Sequence, residues 1–552
     1  IIDEVHAFAD DDRGAHLSAV LERLVRFCGR DVQRIGLSAT VGNPDEILRW
    51  LQGSSTREGT IVSPPKPAVE PQLSLDFVGS PANAATVIKR LHPGRKRLVF
   101  VDSRRAVEEL GKLLLQAEVE TYVTHGSLSA AQRRETEQAF ERGSNCVIAA
   151  TSVLELGIDV GDLDHVLQLD SPPSVASFLQ RMGRTGRRSG TVPNCTFLAT
   201  KDAAVLQAAA IVRLHRAGHV EPVQPRRAAY HILAHQLMAM AIEREGVARD
   251  RWWPDLAGAT SFADIEASER EAIVDHMLAE GILNDTGGKL WLGPKGERLY
   301  GRRNFAELYA VFSTPRLITV RWDTRDIGTV DAQFLSGSDD EPGRSTFTLA
   351  GRPWRIVNID WRRAVCSVEP TEQARNTRWS GAPQYLGYDL CQAMRAVLID
   401  DDEDPAWSKR AREVIASLRL EHEFLRASAS PMLVAGEEIT WWTHSGGRAN
   451  LLLGKLIEAE LGGTVTVRNE SLTCRGEAGQ SVARLQAWVV EMRADGRPHH
   501  GDALRLATEA ARSRVSKFEP CLPEGILEKL AAEMVVDVEG ARAVVAGVEV
   551  AD

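Results

Sequence analysis

Five short apolar runs set the reading of this chain: RLVFVDS (97–103), VETYVTHG (119–126), NCVIAAT (145–151), DHVLQLD (164–170) and NCTFLAT (194–200). Each ends in small or polar residues, and each is separated from the next by a stretch that reads as a helix. Strands that alternate with helices in this way argue a parallel sheet covered on both faces. Ligands of such sheets lie outside the carboxyl ends of the strands. Asp102, His125 and Thr151 stand at those ends.

Upstream of this domain, residues 1–52 read as the end of another α/β domain. Ile1-Ile2 is a strand stump, Gly14–Phe27 a helix with Leu17, Val20, Leu21, Leu24 and Val25 on one face, and Arg34–Leu37 a further strand. A Gly/Ser/Pro-rich linker covers 53–78, and the alternating domain runs from 79 to 205. From 206 to 310 helices lead into GILNDTGGKLWLGPKG (281–296), two short strands about a Gly-Gly turn, so a winged helix is expected. Ser268–Glu271 reads as a capping box opening a helix whose apolar face is Ile273, Val274, Met277 and Leu278. Residues 311–384 are strand-rich and predict a small β-barrel or sandwich. Residues 385–552 read as helical, with Ala449–Leu461 the clearest apolar stripe and a short β-like tail in VVDVEGARAVVAGVEV.

The bulk numbers fit this layout. The 552 residues are 43% hydrophobic and 26% charged, enough for several cores. No apolar run reaches the ~18 residues of a membrane span. The first residues do not have the form of a signal peptide. The seven cysteines form no C-x-x-C pair, so neither a disulfide framework nor a zinc site is expected, and a reducing cytoplasm is. The formal net charge of −10 does not advertise a nucleic-acid binder. Net charge sets solubility and steering, however, not the sign inside a cleft.

Three strings carry chemistry. Asp3-Glu4-Val5-His6 follows a strand end, where an acid pair suits ATP hydrolysis: Asp3 to hold Mg²⁺, Glu4 to orient and deprotonate water, and His6 to relay the nucleotide state. A solvated acidic loop gives the same letters. Ser38-Ala39-Thr40 ends the next strand, and its hydroxyls could couple to that loop or simply form a turn. The decisive string is Gln180-Arg181-Met182-Gly183-Arg184-Thr185-Gly186-Arg187. Arg184 and Arg187, three apart among glycines, present two guanidinium forks suited to phosphate. An arginine finger of this kind is worth ~10³ to 10⁵ in rate.

This last string resembles motif VI of the superfamily 2 helicases. Thr151–Asp159 (TSVLELGID) is similar to motif V, Phe100–Arg105 (FVDSRR) to motif IV, and His125–Ser129 (HGSLS) to the loop before the next helix. Asp3–His6 and Ser38–Thr40 then correspond to motifs II and III. The resemblance implies two RecA-like lobes, the first one partial, followed by winged helix, barrel and helical region. It implies that Gln180, Arg184 and Arg187 serve catalysis and that Gly157 and Asp159 face the ribose of ATP. Thr151, Arg104, Arg105 and His125 would contact nucleic acid. HGSLS, TSVLELGID and RMGRTGRR together, with NTRWSG (376–381) and GGRAN (446–450), resemble the large helicase-related (Lhr) type. That narrower resemblance implies ATP and Mg²⁺ as cofactors, and movement 3′ to 5′ on single-stranded DNA to unwind DNA or RNA:DNA duplexes. It also implies that Trp379, beside Arg378, stacks on a base, worth ~1–3 kcal/mol. Trp441 and Trp442 are expected in a core, and Lys289 and Lys295 lie on the wing, as phosphate contacts or simply solvated.

The sequence holds no G-x-x-x-x-G-K-[ST] phosphate loop, and it starts at Ile1 inside a strand. The expectation is therefore a fragment that begins within the ATPase core and is inactive by itself. Competing classes are a non-hydrolysing single-strand-binding module, which would have no use for Glu4 with Arg184 and Arg187, and an RNA helicase of the DEAD/DEAH type. The latter would not be expected to carry the winged helix and barrel. A metal hydrolase built on His6 or on His499-His500 lacks a ligand set.

Overall fold

Six strands, β1 (Gln72–Phe77), β2 (Arg97–Phe100), β3 (Thr121–Thr124), β4 (Val147–Ala150), β5 (His165–Leu169) and β6 (Asn194–Ala199), form one sheet in the order β1-β6-β5-β2-β4-β3. All its pairings are parallel. β2 and β4 are buried along their whole length, which is why they read as continuous apolar runs instead of alternating ones. The computed structural model describes residues 1–552 except 64–68, 144, 156–162, 189, 302–307, 309–310, 312–316, 332–345, 351, 361–362, 372–384, 500–515 and 549–552.

The chain divides into two units. One comprises residues 66–219 and 314–431, the other 1–65, 220–313 and 432–552. In the first unit the six-stranded sheet is accompanied by a five-stranded one, made from Leu317–Trp322, Arg325–Asp331, Thr346–Leu349, Arg352–Asp360 and Val365–Pro370. They lie within the stretch 311–384 that reads as strand-rich. Their core is Ile318, Val320, Ile327, Val330, Phe347, Trp354, Cys366 and Val368, joined by Leu128 from the six-stranded domain. Helices Tyr388–Ile399 and Lys409–Glu421 also belong here, contrary to the division at 385 expected from the sequence. Tyr388–Ile399 packs on Asp202–Arg216, where Arg213 pairs with Asp400. Leu75 of β1 bonds to the backbone on both sides of Trp407, its amide to Ala406 O and its carbonyl to Ser408 N, each at 2.8 Å.

In the other unit, helix Asp12–Cys28 buries Ala15, Ser18, Ala19 and Glu22, not the stripe expected from its larger residues. Small side chains let it approach helix Tyr230–Glu243 closely, while Val20 and Leu24 are 39% and 41% exposed. Ile2 and Gly36 make a single parallel bridge in place of two full strands. The winged-helix hairpin is as read: Leu283–Thr286 and Lys289–Leu292 pair antiparallel about Gly287 and Gly288, both at positive φ, as a two-residue turn requires. The preceding helix, Ala267–Ala279, is capped two residues earlier than expected, with the Glu269 carboxylate accepting the Glu266 amide at 2.9 Å.

Two readings of the C-terminal region are corrected. Residues 432–475 contain a four-stranded sheet, Met432–Ala435, Glu438–Trp441, Leu472–Arg475 and Thr464–Val467 in spatial order, around helix Gly447–Leu461. Trp441 is fully buried there and Trp442 half-buried. The expected β tail is instead helix Val538–Gly547, capped by the Asp537 carboxylate on the Gly540 amide and packed against Gly447–Leu461. Among the described residues no helix is long and apolar enough to cross a membrane.

Candidate functional site

The parallel sheet gathers charged groups at the carboxyl ends of β2 and β4. Arg181, in helix Val175–Met182, is 3% exposed. Its guanidinium lies 2.8 Å from Asp102, two residues beyond β2, and 2.6 Å from Glu155, five residues beyond β4. It also donates to Gln168 Oε1 on β5 and lies over the Phe100 ring, 5.2 Å from its centroid. Ser177 Oγ donates to Glu155 at 3.0 Å. Burial raises the Asp102 carboxyl above its ordinary range, with Arg181 opposing. Arg181 is thus spent inside the fold, tying the motif IV, V and VI strings together. The sequence alone assigns it no role. Acids following two adjacent strands, with one arginine ahead of the Gly-Arg pair, are the signal available.

Of the next two arginines, one turns back to this cluster and the other is exposed. Arg184, half-buried, donates to the carbonyl of Glu155. Arg187 is exposed, its Nε bonded to Gly183 O at 3.0 Å. Gly186 holds φ +72°, and a Cβ there would lie 2.6 Å from Pro193, so the turn between the two arginines requires glycine. Gln180 is half-buried on the same helix. Thr151 stands at the carboxyl end of β4, its amide bonded to Thr124 O at 3.3 Å. Arg104 and Arg105 are exposed in the first turn of helix Arg104–Gln116, which Ser103 caps through the Ala106 amide.

His125 does not have the exposure expected of a strand-contacting residue. It is fully buried, Nε2 2.8 Å from Glu108 Oε1, with Nδ1 accepting the Ser127 amide at 3.3 Å. Both ring nitrogens are used inside the fold, which corrects the contact expected of it. Gly157, Asp159, Arg378 and Trp379 lie outside the described residues.

In the other unit the acid string forms a tight turn. Glu4 adopts φ 49°, ψ 41°, a left-handed conformation unusual for a non-glycine residue. The Asp3 carboxylate accepts the Glu4 amide at 2.9 Å. Asp3 is exposed and Glu4 half-buried, while His6 is buried. His6 Nδ1 lies 3.1 Å from Ser38 Oγ, 3.3 Å from the Ala39 amide and 3.7 Å from Glu4 Oε2. Burial lowers the His6 pKa, against the pull of Glu4, Asp10 and Asp3. Thr40 is exposed two residues on. The spacing expected between the two strings is therefore realised as direct contact.

Residues 223–231 bond to the segments that follow each string. Asn43, just past Thr40, exchanges two hydrogen bonds with the Val223 backbone, at 2.7 and 2.8 Å. Arg226 reaches Asp10 O at 3.2 Å and Asp12 Oδ1 at 3.1 Å, and His231 Nε2 lies 2.8 Å from Asp12 Oδ1. These contacts pull Asp12 below its ordinary pKa although burial pushes the other way. Among the described residues no group of three or more His, Cys, Asp or Glu could hold a metal ion. Mg²⁺ that arrives with a nucleotide needs only one or two carboxylates, and exposed Asp3 fits that share.

Comparison with known proteins agrees with this geometry. Residues 82–189, from the helix after β1 through the Gly-Arg string, match the Helicase conserved C-terminal domain. The chain is 29% identical over 438 residues to the Lhr helicase/probable uracil glycosylase of Mycolicibacterium smegmatis, covering 69% of this chain and 29% of that protein. It is 25% identical over 492 residues to the ATP-dependent helicase Lhr-Core of Saccharolobus solfataricus, covering 84% and 55%. Its fold is similar to that of Mycobacterium smegmatis helicase Lhr bound to ssDNA and AMP-PNP, with a TM-score of 0.67 at 22% identity over 99% of this chain and 76% of that one. Fold, matched domain and relatives together support the superfamily 2 helicase class. Within that class the chain is similar to helicases of the Lhr type. It spans less than a third of the length of two matched bacterial relatives and about half of two archaeal ones.

Proposed function

We propose that this chain is the strand-gripping and coupling part of an ATP-dependent helicase that moves 3′ to 5′ on single-stranded DNA and unwinds DNA or RNA:DNA duplexes. The observation that carries the reading is the Asp102–Arg181–Glu155 cluster. It fixes a helix whose end presents Arg184 and Arg187, so two forks suited to phosphate stand on a rigid base.

Asp3 and Glu4 supply the other half of the chemistry. Asp3 would hold the Mg²⁺ of an incoming MgATP, and Glu4 would orient and deprotonate the attacking water. His6, bonded to Ser38 Oγ, carries the state of that loop to Ser38–Thr40. Gly157 and Asp159 would contact the nucleotide ribose, as the motif V resemblance implies. Thr151, Arg104 and Arg105 contact strand phosphates, which fixes position and carries no sequence information. Trp379 stacks on a base with Arg378 beside it, giving a grip that tolerates any sequence. The matched M. smegmatis helicase structure is bound to ssDNA and AMP-PNP, which supports this choice of ligands.

The 552 residues contain no phosphate-cradling loop, so the chain binds strands but does not turn over ATP by itself. Two measurements on one preparation test this. Fluorescence anisotropy with a labelled oligo-dT should show binding that weakens steeply with salt. Phosphate release should stay at background with that DNA present. Absence of salt-dependent binding would overturn the strand grip. Turnover like that of an intact helicase would overturn the assignment of Asp3 and Glu4 to a site completed from elsewhere.

A further inference from the structure

The loop His125–Ser129, between β3 and the next helix, is built into the five-stranded sheet. Leu128 and Gly328 form an antiparallel bridge, Thr329 N donates to Ser127 O at 2.6 Å, and Ser129 N donates to Ile327 O at 3.2 Å. The Leu128 side chain, 4% exposed, is a member of that sheet's own core. Gly328 approaches so closely that a Cβ there would lie 2.4 Å from Ser127 O.

One carboxylate completes the joint. Glu108 is 2% exposed, in the second turn of the helix that starts with Arg104 and Arg105. Its Oε1 accepts His125 Nε2 at 2.8 Å and the Ala350 amide at 2.6 Å. Ala350, at φ +58°, is the turn between strands Thr346–Leu349 and Arg352–Asp360. A buried carboxylate needs such partners, and these are drawn from the loop and from the second sheet. The helix end bearing the two exposed arginines is therefore indexed to the five-stranded sheet through one oxygen atom.

We infer that Glu108 is a positioning residue for strand binding: by bonding His125 and Ala350 it sets Arg104 and Arg105 at the spacing of successive nucleic-acid phosphates, so the five-stranded sheet tunes the grip of the parallel-sheet domain. The inference rests on the strand grip proposed above. It makes the two sheets one mechanical body, which carries Arg104 and Arg105 together with the loop when it moves. The long way round, through residues 202–316, is not what registers them; the Glu108 and Leu128 contacts are.

The test is a double-mutant cycle on the whole chain, with oligo-dT affinity read across a salt series. Glu108→Ala should weaken binding about tenfold, as expected for loss of a hydrogen bond to a charged group. It should also flatten the salt slope by about 0.7 for each strand phosphate that is no longer neutralised. Glu108→Gln keeps an acceptor at the same place and should retain wild-type affinity and slope. In an Arg104→Ala/Arg105→Ala background, Glu108→Ala should cost nothing further, since it acts through those two residues. Should Glu108→Ala fail to fold, Gly328→Ala perturbs the same joint from the sheet side and should flatten the slope likewise. Equal losses with and without the arginines, or a lower melting temperature with an unchanged salt slope, would overturn the inference and leave Glu108 as packing alone. Failure of the unaltered chain to bind oligo-dT would instead remove the strand grip itself.

Discussion

His6 Nδ1 lies 3.1 Å from the hydroxyl of Ser38, so the acid turn and the Ser-Ala-Thr strand end, some thirty residues apart, form one bonded unit. The backbone repeats the connection, with Val5 N donating to Leu37 O at 2.9 Å. A change in the Asp3-Glu4 turn can then reach Ser38–Thr40 without passing through a hydrophobic core. His6→Ala should cost about 1 kcal/mol locally, the worth of a net hydrogen bond, and speed hydrogen exchange at Val5 and Leu37 about fivefold. Exchange unchanged at both amides would mean that the imidazole does not hold the strings together.

The histidines also give the unit containing the winged helix a pH dependence. Burial, aided by nearby His16, pushes the His235 pKa down to about 3, and His16 and His6 are lowered too. Folding therefore favours the neutral ring, and the unfolded chain binds more protons below the ordinary histidine value. The stability from His235 is fully present above pH about 6.5 and is lost as the pH falls toward 3. One proton of difference costs about 1.4 kcal/mol per pH unit, so about 2 kcal/mol should be lost between pH 6.5 and 5 from this site alone. Urea melts at several pH values check this: His235→Gln should flatten the profile, and an unaltered slope would contradict it.

Arg181 pairs with two carboxylates and lies over the Phe100 ring. Removing it leaves Asp102 and Glu155, 21% and 12% exposed, without their shared cation. Arg181→Ala should destabilise this unit by about 3–5 kcal/mol. A loss below about 1 kcal/mol in urea unfolding would show that the cluster behaves as a surface ion pair.

The parts of the fold that are legible in the sequence are those whose pattern has a single cause. Strands β2, β4 and β5 are largely buried and mostly apolar, and Gly287-Gly288 fits the hairpin of the wing. Strands Met432–Ala435 and Thr464–Val467 escape a sequence reading because they are four residues long and partly exposed, so period-two alternation has no length in which to appear. Val538–Gly547 reads as strand from its valines. Its helicity comes from the Asp537 cap and from packing on Gly447–Leu461, both tertiary facts. The candidate site shows the same split. Arg184, Arg187, Arg104 and Arg105 can be proposed from sequence because glycines and strand ends mark them. Arg181 and His125 cannot be sorted from them, since a buried anchor and an exposed contact use the same residue types.

The most direct test of the account joins this chain, at its amino end, to an ATPase lobe that carries a phosphate-binding loop, and measures DNA-stimulated phosphate release with Arg187 intact or replaced by alanine. The account predicts turnover that depends on single-stranded DNA, lowered in Arg187→Ala by as much as ~10³ while oligo-dT binding stays within about twofold. Equal turnover in the two proteins would contradict it, because the Gly-Arg string would then have no part in hydrolysis.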